Sequence, residues 1–414
     1  MINLKKKFLI YGYGISGKSI ETYLINKKCS YNIYDDLKVI NNQKFIDIKY
    51  LSKHLNEYDY FVVSPSIKIG KNHFLFRYKE KILIDLDFLS LELTNQQIIG
   101  VTGTEGKSST CNYLREILSK KYKTKIIGNF GDTILDNNNL TKYLSKIDIL
   151  IVELSSYQLD KLKFLKLNYA VITNIFCDHL DYHDNIKNYI KSKFKIQYLL
   201  HKDSNLHLSK ELYLNFSKNI KIDKNRIIIN SYKNKTTNDL TKYFKTLNLY
   251  TIKKLVYEID SQLDIKIQTN MNELIFRNQL IYNSKNLKIY NDSKCTNLKN
   301  SIFKNNLINS KKKILILGGK FKKVERNSHF NVSNTLVLLF GDHTNLFIKH
   351  LHFINSRVYK FKTLTELCNF LKLALKVNNF KNILFSPGGE SFDFYKNYID
   401  RGNHFNRLIK KIIN

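Results

Sequence analysis

The stretch that decides the fold is Ile98-Ile99-Gly100-Val101-Thr102-Gly103-Thr104-Glu105-Gly106-Lys107-Ser108-Ser109-Thr110. A short apolar run enters a glycine-rich turn. It leaves as a helix whose Cys111, Leu114, Ile117 and Leu118 share one face. Gly103 and Gly106 allow the backbone to aim N–H groups at phosphate oxygens, and Lys107 offers a point charge to the β- and γ-phosphates. The Ser108 hydroxyl suits Mg²⁺, while Thr104 and Ser109 complete the loop. Val101 stands five places before Gly106, so the strict G-x-x-x-x-G-K-[ST] pattern is not met. Strand, loop and helix in that order still predict nucleotide binding, with an ordinary glycine-rich turn as the alternative.

Working outward, short apolar runs alternate with amphipathic stretches, the mark of parallel α/β units. Strands are expected at Phe8 to Tyr11, Tyr60 to Val63, Ile98 to Val101, Ile147 to Val152 and Ala170 to Thr173, then at Ile314 to Leu317, Thr335 to Phe340 and Ile383 to Phe385. Several end in Gly, Ser-Pro or a carboxylate, where sites sit in open α/β sheets. Pro65 and Pro387, the only prolines, each follow a Ser just after such a strand. Near the N-terminus, Gly12-Tyr13-Gly14-Ile15-Ser16-Gly17 follows a strand, and Asp35-Asp36 follows the next one. Taken alone, that fingerprint favours a dinucleotide-binding dehydrogenase. Domain boundaries are expected near residues 93 and 296, giving 1–93, 94–296 and 297–414. Residues 201 to 270 are rich in Lys and Asn and give weak signals.

The chain carries 68 Lys+Arg against 35 Asp+Glu, a formal charge of +33. Such an excess suits a nucleic-acid or anionic-membrane surface. Here the positive residues are spread along the whole length, no nucleic-acid motif accompanies them, and Lys, Asn, Ile, Tyr and Phe are abundant beside 2 Pro and no Trp. That pattern reads as drift in an AT-rich genome, so no nucleic-acid partner is expected. The five cysteines (Cys29, Cys111, Cys177, Cys295, Cys368) form no CxxC pair, which argues against a disulfide framework or zinc site. Lys5-Lys6-Lys7 before Phe8 to Ile15 imitates a secretory leader, but Gly12, Gly14 and Gly17 break the run and Lys18 follows. No segment approaches the ~20 apolar residues of a membrane span. A cytoplasmic chain without membrane insertion is expected.

The loop Thr102-Gly103-Thr104-x-Gly106-Lys107-Ser108 resembles that of the Mur ligase and folylpolyglutamate synthase superfamily, with Glu105 where the family has Asn. Further motifs follow in family order. Gly128-Asn129-Phe130-Gly131 resembles the family's substrate loop. Val152-Glu153-Leu154-Ser155-Ser156-Tyr157-Gln158 is similar to a strand end that makes Glu153 the magnesium carboxylate. Asp178-His179-Leu180-Asp181 gives His179 as second metal ligand, with His183 expected on the surface. Tyr189 to Ile196 resembles the helix whose lysine is carbamylated, which falls on Lys193. Two Mg²⁺ ions and ATP are implied, with Ser108, Glu153, His179 and the Lys193 carbamate as metal ligands. Arg277 matches an arginine placed against ATP. Asn291-Asp292-Ser293-Lys294-Cys295-Thr296-Asn297 is similar to an inter-domain segment, with Asp292 at the ribose, Lys294 at the acyl phosphate and Thr296 at the amino acid. The adenine segment finds its best counterpart in Leu247 to Thr251.

The resemblance implies three domains: a Rossmann-like UDP-binding domain, a central P-loop ATPase-like domain and a Rossmann-like C-terminal domain. Loop amides at Gly14, Ile15 and Ser16 would hold a pyrophosphate, with Asp35 and Asp36 at the uridine. Leu317-Gly318-Gly319-Lys320-Phe321-Lys322 and Ser386-Pro387 to Asp393, running on through Tyr398 to Arg401-Gly402, resemble the D-glutamate-adding members. Lys322 would pair with a glutamate carboxylate, and Ser391, Phe392 and Tyr398 would surround the side chain. D-glutamate is an anion, so Glu390 is expected to point away from it. The implied reaction joins D-glutamate to UDP-N-acetylmuramoyl-L-alanine through an acyl phosphate, with Lys107, Glu153, His179, Lys193 and Lys294 catalytic, in a monomer. A sister ligase, a folylpolyglutamate synthase-like enzyme and a non-catalytic homologue are the alternatives.

Overall fold

A computed structural model describes residues 2–413 except 38–40, 132, 177, 219, 224–225, 231–238, 264–273, 323 and 325–327. Cys177 therefore lies outside the described residues, as does part of the 201–270 stretch. The chain divides into two compact units. The first holds residues 1–175, 187–231 and 250–266, and the second 176–186, 232–249 and 267–414.

The first unit contains two parallel sheets. In the smaller, the strand order is Ser30–Tyr34, Lys7–Tyr11, Tyr60–Val63, Ile82–Leu83. In the larger it is Ile227–Asn230, Leu200–Ser209, Leu167–Ile172, Gln97–Thr102, Ile149–Glu153, Thr124–Gly128. Gln97–Thr102 sits between Leu167–Ile172 and Ile149–Glu153, with Val101 opposite Glu153 and Thr102 opposite Ile172. That register brings the glycine-rich loop, Glu153 and Thr173 to one carboxyl edge, where open α/β sheets build their sites.

The second unit is organised on one six-stranded sheet: Gln279–Asn283, Lys288–Asn291, Asn382–Gly388, Lys313–Gly318, Thr335–Phe340, Arg357–Phe361. Only its first pair is antiparallel. Its strands are apolar at successive positions because both faces are covered. Leu315, Leu317, Val337, Leu339 and Leu384 join one core with Leu298 and Ile302 of the helix Leu298–Leu307. Ile314, Ile316, Leu338, Phe340, Ile383 and Phe385 join the other, with Leu367 and Leu371 of Leu364–Val377 and Phe405 of Tyr398–Ile413. Alternate residues of a strand point to opposite faces, so one run feeds two cores.

The stretch with weak sequence signals forms regular structure among its described residues: the ten-residue strand Leu200–Ser209, a helix Lys210–Phe216, a strand Ile227–Asn230 and a helix Leu240–Ile259. His183, expected on the surface, is buried at the end of the short helix Leu180–His183, its ring edge-on to Tyr182. None of the described helices is long and apolar enough to cross a membrane.

Candidate active site

The loop after Gln97–Thr102 is held from several sides. Gly103 has φ +147°, and a Cβ there would lie 2.0 Å from Thr173 Oγ1, so only glycine fits. Gly106 is left-handed and starts the helix Lys107–Leu118. Asn174 accepts from the Thr104 N–H at 2.9 Å through its carbonyl and from the Glu105 N–H at 2.9 Å through Oδ1. Thr173 and Asn174 donate back to the Glu105 carbonyl at 2.6 and 3.1 Å. The Thr104 and Tyr189 hydroxyls meet at 2.8 Å.

Around this frame several expected residues gather. Ser108 Oγ donates to Glu153 Oε2 at 2.6 Å, and Asn129 Nδ2 donates to Glu153 Oε1 at 2.9 Å. Lys107 Nζ folds back onto the carbonyls of Gly103 and Thr104 at 3.0 and 2.9 Å. Lys193 Nζ, buried and 4.8 Å from the Tyr189 ring centre, reaches the same Gly103 carbonyl at 2.7 Å. Ser109 is half-buried on the first helical turn. Among the described residues no three His, Cys, Asp or Glu side chains form a metal cage. Mg²⁺ needs none, since it takes one or two carboxylates beside waters and phosphates. The buried hydroxyl–carboxylate pair Ser108–Glu153 is a hard oxygen donor set that fits it.

The first unit's other loop, after Lys7–Tyr11, leaves Gly14 and Ile15 exposed and Ser16 half-buried as the helix Ile15–Asn26 begins. Asp35 accepts from the N–H groups of Tyr13 at 2.7 Å and Leu37 at 2.9 Å. Asp36 accepts from Tyr34 Oη at 2.7 Å and from Tyr11 Oη, which also meets His73 Nε2 at 3.2 Å. Burial raises the Tyr34 hydroxyl to about 12, and the Asp36 carboxylate adds to the effect. Asp85 escaped the sequence reading: burial raises its carboxyl, opposed by a hydrogen bond from the Ser16 hydroxyl.

In the second unit, Asp292 is turned inward. Lys304 Nζ at 2.7 Å and Ser386 Oγ at 2.8 Å share its Oδ2, and the Asn278 N–H donates to Oδ1 at 3.1 Å. Arg277 lies between Phe276 and Asn278, both at positive φ (58° and 51°). Lys294 is exposed and carries its ammonium 4.3 Å from the Tyr398 ring centre. Thr296 is half-buried, Ser391 buried and Phe392 exposed. Arg401, fully buried, donates to Ser293 Oγ, the Ser293 carbonyl and the Gly389 carbonyl at 3.1, 2.7 and 2.9 Å, tying the Asn291–Asn297 segment to the loop after Asn382–Gly388. Desolvation lowers its guanidinium to about 10. The sequence contained Arg401 and Lys304, but not the partners that give them these roles.

His179 belongs to this unit at φ 53°, an uncommon conformation for a non-glycine residue and one frequent at functional sites. Its Nε2 lies 3.5 Å from Asp178 Oδ2. Asp178 Oδ1 in turn lies 3.5 Å from Lys322 Nζ, and Glu390 Oε1 lies 3.4 Å from the same nitrogen. Glu390 therefore points toward the Lys322 ammonium. A cation 3.4 Å distant attracts it, and Lys322 is the group expected to pair with the glutamate carboxylate. Burial works against the Lys322 charge, and the two carboxylates outweigh it, holding the ammonium above its ordinary range.

Residues 101–274 match the Mur ligase middle domain. That match spans the phosphate loop together with Glu153, His179 and Lys193. Relatives spanning nearly all of it are UDP-N-acetylmuramoylalanine–D-glutamate ligases. That of Francisella philomiragia is 27% identical over 98% of this chain and 97% of its own. That of Buchnera aphidicola subsp. Baizongia pistaciae is 29% identical over 99% of each. Among solved structures, the MurF ligase of Thermotoga maritima in complex with ADP shares the fold, with a TM-score of 0.56 at 13% identity over 99% of this chain and 98% of that one.

Proposed function

We propose that this chain is an ATP-dependent amide ligase that adds D-glutamate to UDP-N-acetylmuramoyl-L-alanine in peptidoglycan precursor synthesis. The observation that carries the reading is the near-complete span of similarity to ligases of that name, joined to a glycine-rich loop whose Ser108 meets Glu153 at 2.6 Å. The proposal includes a UDP-substrate domain at 1–93, an ATP-binding domain at 94–296 and an amino-acid domain at 297–414, working as a cytoplasmic monomer.

The loop amides of Gly103, Thr104, Gly106, Ser108 and Ser109 cradle the ATP phosphates, and Lys107 leaves its carbonyl partners to meet them. Ser108, Glu153, His179 and, once carbamylated, Lys193 would hold magnesium, which would supply charge neutralisation for the transferred phosphoryl group. Arg277 contributes to the nucleotide side, and Asp292, held inward by Lys304 and Ser386, fixes the segment that carries Lys294. The alanyl carboxylate takes the γ-phosphoryl group, giving an acyl phosphate and ADP. The D-glutamate amine then attacks the acyl carbon, expels phosphate and gives the amide. Lys294 stabilises the oxyanion and the departing phosphate, and holding the reactants together lowers the entropic barrier. Gly14, Ile15, Ser16, Asp35, Asp36 and Asn129 hold the UDP-sugar, and Thr296, Lys322, Ser391, Phe392 and Tyr398 the amino acid.

An acceptor screen tests this. Purified protein is given ATP, Mg²⁺, UDP-N-acetylmuramoyl-L-alanine and, separately, D-glutamate, L-alanine or diaminopimelate. ADP release that depends on D-glutamate is expected. Dependence on another amino acid, or on none, contradicts the reading.

A further inference from the structure

Lys322, Glu390 and Asp178 form an arrangement that a seat for an anionic amino acid does not need. One ammonium faces two carboxylates, of which Asp178 also has the His179 ring nitrogen 3.5 Å away. The two differ in how they are held. Asp178 accepts from the His179 backbone N–H at 3.0 Å, and its side chain is only 11% exposed. Glu390 has a fixed backbone and a looser side chain. Its N–H and carbonyl exchange 2.8 Å hydrogen bonds with Lys320 in an isolated bridge, and Arg401 holds the preceding carbonyl. Its side chain is 34% exposed and sits 3.4 Å from Lys322 Nζ. Charge-assisted hydrogen bonds run nearer 2.7–2.9 Å. The carboxylate is thus aimed at the ammonium by a rigid loop without being gripped by it, and it has a route into solvent.

We infer that Glu390 is a built-in competitor that occupies the acceptor's carboxylate position on Lys322, so that the amino-acid substrate binds by exchange with it. The inference rests on the proposed function, in which Lys322 receives the acceptor carboxylate. Glu390 keeps Lys322 paired and in place while the seat is empty, and it sets acceptor affinity below what the lysine alone would give. Only the acceptor meets this competition. ATP and the UDP-sugar do not use Lys322.

A partly exposed ion pair contributes about 0.2–1 kcal/mol, which corresponds to a fall in KM of about 1.4- to 5-fold when the competitor is neutralised. Steady-state kinetics of the full chain, with D-glutamate varied at saturating ATP and UDP-N-acetylmuramoyl-L-alanine, test it. Glu390→Gln is expected to lower the KM for D-glutamate within that range, without lowering kcat and without moving the KM for ATP. Glu390→Asp, which withdraws the carboxylate by one methylene and keeps the loop's charge, is expected to fall between the two, and it serves if the glutamine variant does not fold. In a Lys322→Gln background the same substitution is expected to leave the KM for D-glutamate unchanged. An unchanged or raised KM in both Glu390 variants, or an equal fall with and without Lys322, overturns the inference. If wild type ignores D-glutamate and uses another amino acid, the functional reading fails separately, and the competition is then read on that acceptor's KM with the same outcomes.

Discussion

The phosphate loop of the first unit and the Lys322 seat of the second use the same parts, ammonium groups and carboxylates on glycine-rich turns, under opposite rules. In the loop, Ser108–Glu153, Lys193–Gly103 and Lys107–Thr104 lie at 2.6–2.9 Å, and two of the three donors are buried. At Lys322 both ion pairs are 3.4–3.5 Å and partly exposed. The first arrangement fixes the loop's shape before any ligand arrives, with only Lys107 proposed to turn from its carbonyls to the phosphates, which suits phosphoryl transfer, where preorganised groups do most of the work. The second is arranged for exchange. Asp292 shows that the second unit can also build a tight pair: Lys304 and Asp292 meet at 2.7 Å with side chains 4% and 2% exposed.

That contrast can be broken by substitution. Lys304→Ala strands the Asp292 carboxylate in the interior and is expected to cost about 3–5 kcal/mol of unfolding free energy, read by urea denaturation. A loss below about 1 kcal/mol would put Asp292 among the weak pairs instead. Lys107→Ala is expected to reduce D-glutamate-dependent ADP release about 100- to 1,000-fold, the usual scale for a lost transition-state donor, with an unchanged far-ultraviolet circular dichroism spectrum. A small loss would show that the loop amides suffice.

Asp87 tests a carboxyl set chiefly by burial and backbone hydrogen bonds, with the Lys163 charge a lesser cause. Desolvation pushes it up to about 6 against hydrogen bonds from the N–H groups of Ile84, Phe164 and Lys163. Its folded value lies above the unfolded ~3.9, so the folded state binds more protons between the two. Its contribution to stability is greatest below about pH 4, falls as pH rises toward 6, and is flat above. Urea midpoints at pH 4 and pH 7 should show this slope in wild type, and Asp87→Asn should lose it. The smallest effect is expected at Ser155, whose hydroxyl caps the helix Ser156–Lys161 just after Glu153. Ser155→Ala should cost about 1 kcal/mol of stability while leaving the KM for ATP within about twofold, since the cap does not touch Glu153.

Most of the phosphate loop could be read in advance because it is local. Gly103, Gly106, Lys107 and Ser108 lie within six residues, and the strand Thr335–Phe340 is an unbroken apolar run from Leu336 on. Leu200–Ser209 was illegible because His201, Lys202 and Asp203 are exposed at its start while Leu206, His207 and Leu208 are buried, so no single period runs through it. His183 was misread because four residues of helix carry too little pattern to place a face. The second unit's seat was half legible. Lys322 could be named from its motif, but Asp178 and Glu390 reach it from 144 and 68 positions away, and nothing local signals such pairing. The same holds for Arg401, whose partners at Ser293 and Gly389 come from two other segments.

In the proposed reaction the chain makes an acyl phosphate on the alanyl carboxylate and resolves it with D-glutamate. Supplying UDP-N-acetylmuramoyl-L-alanine with heavy oxygen in that carboxylate tests it directly. Inorganic phosphate released in the presence of ATP and D-glutamate should carry one labelled oxygen per amide formed. Phosphate that carries none, or ADP released at the same rate without D-glutamate, would contradict the account.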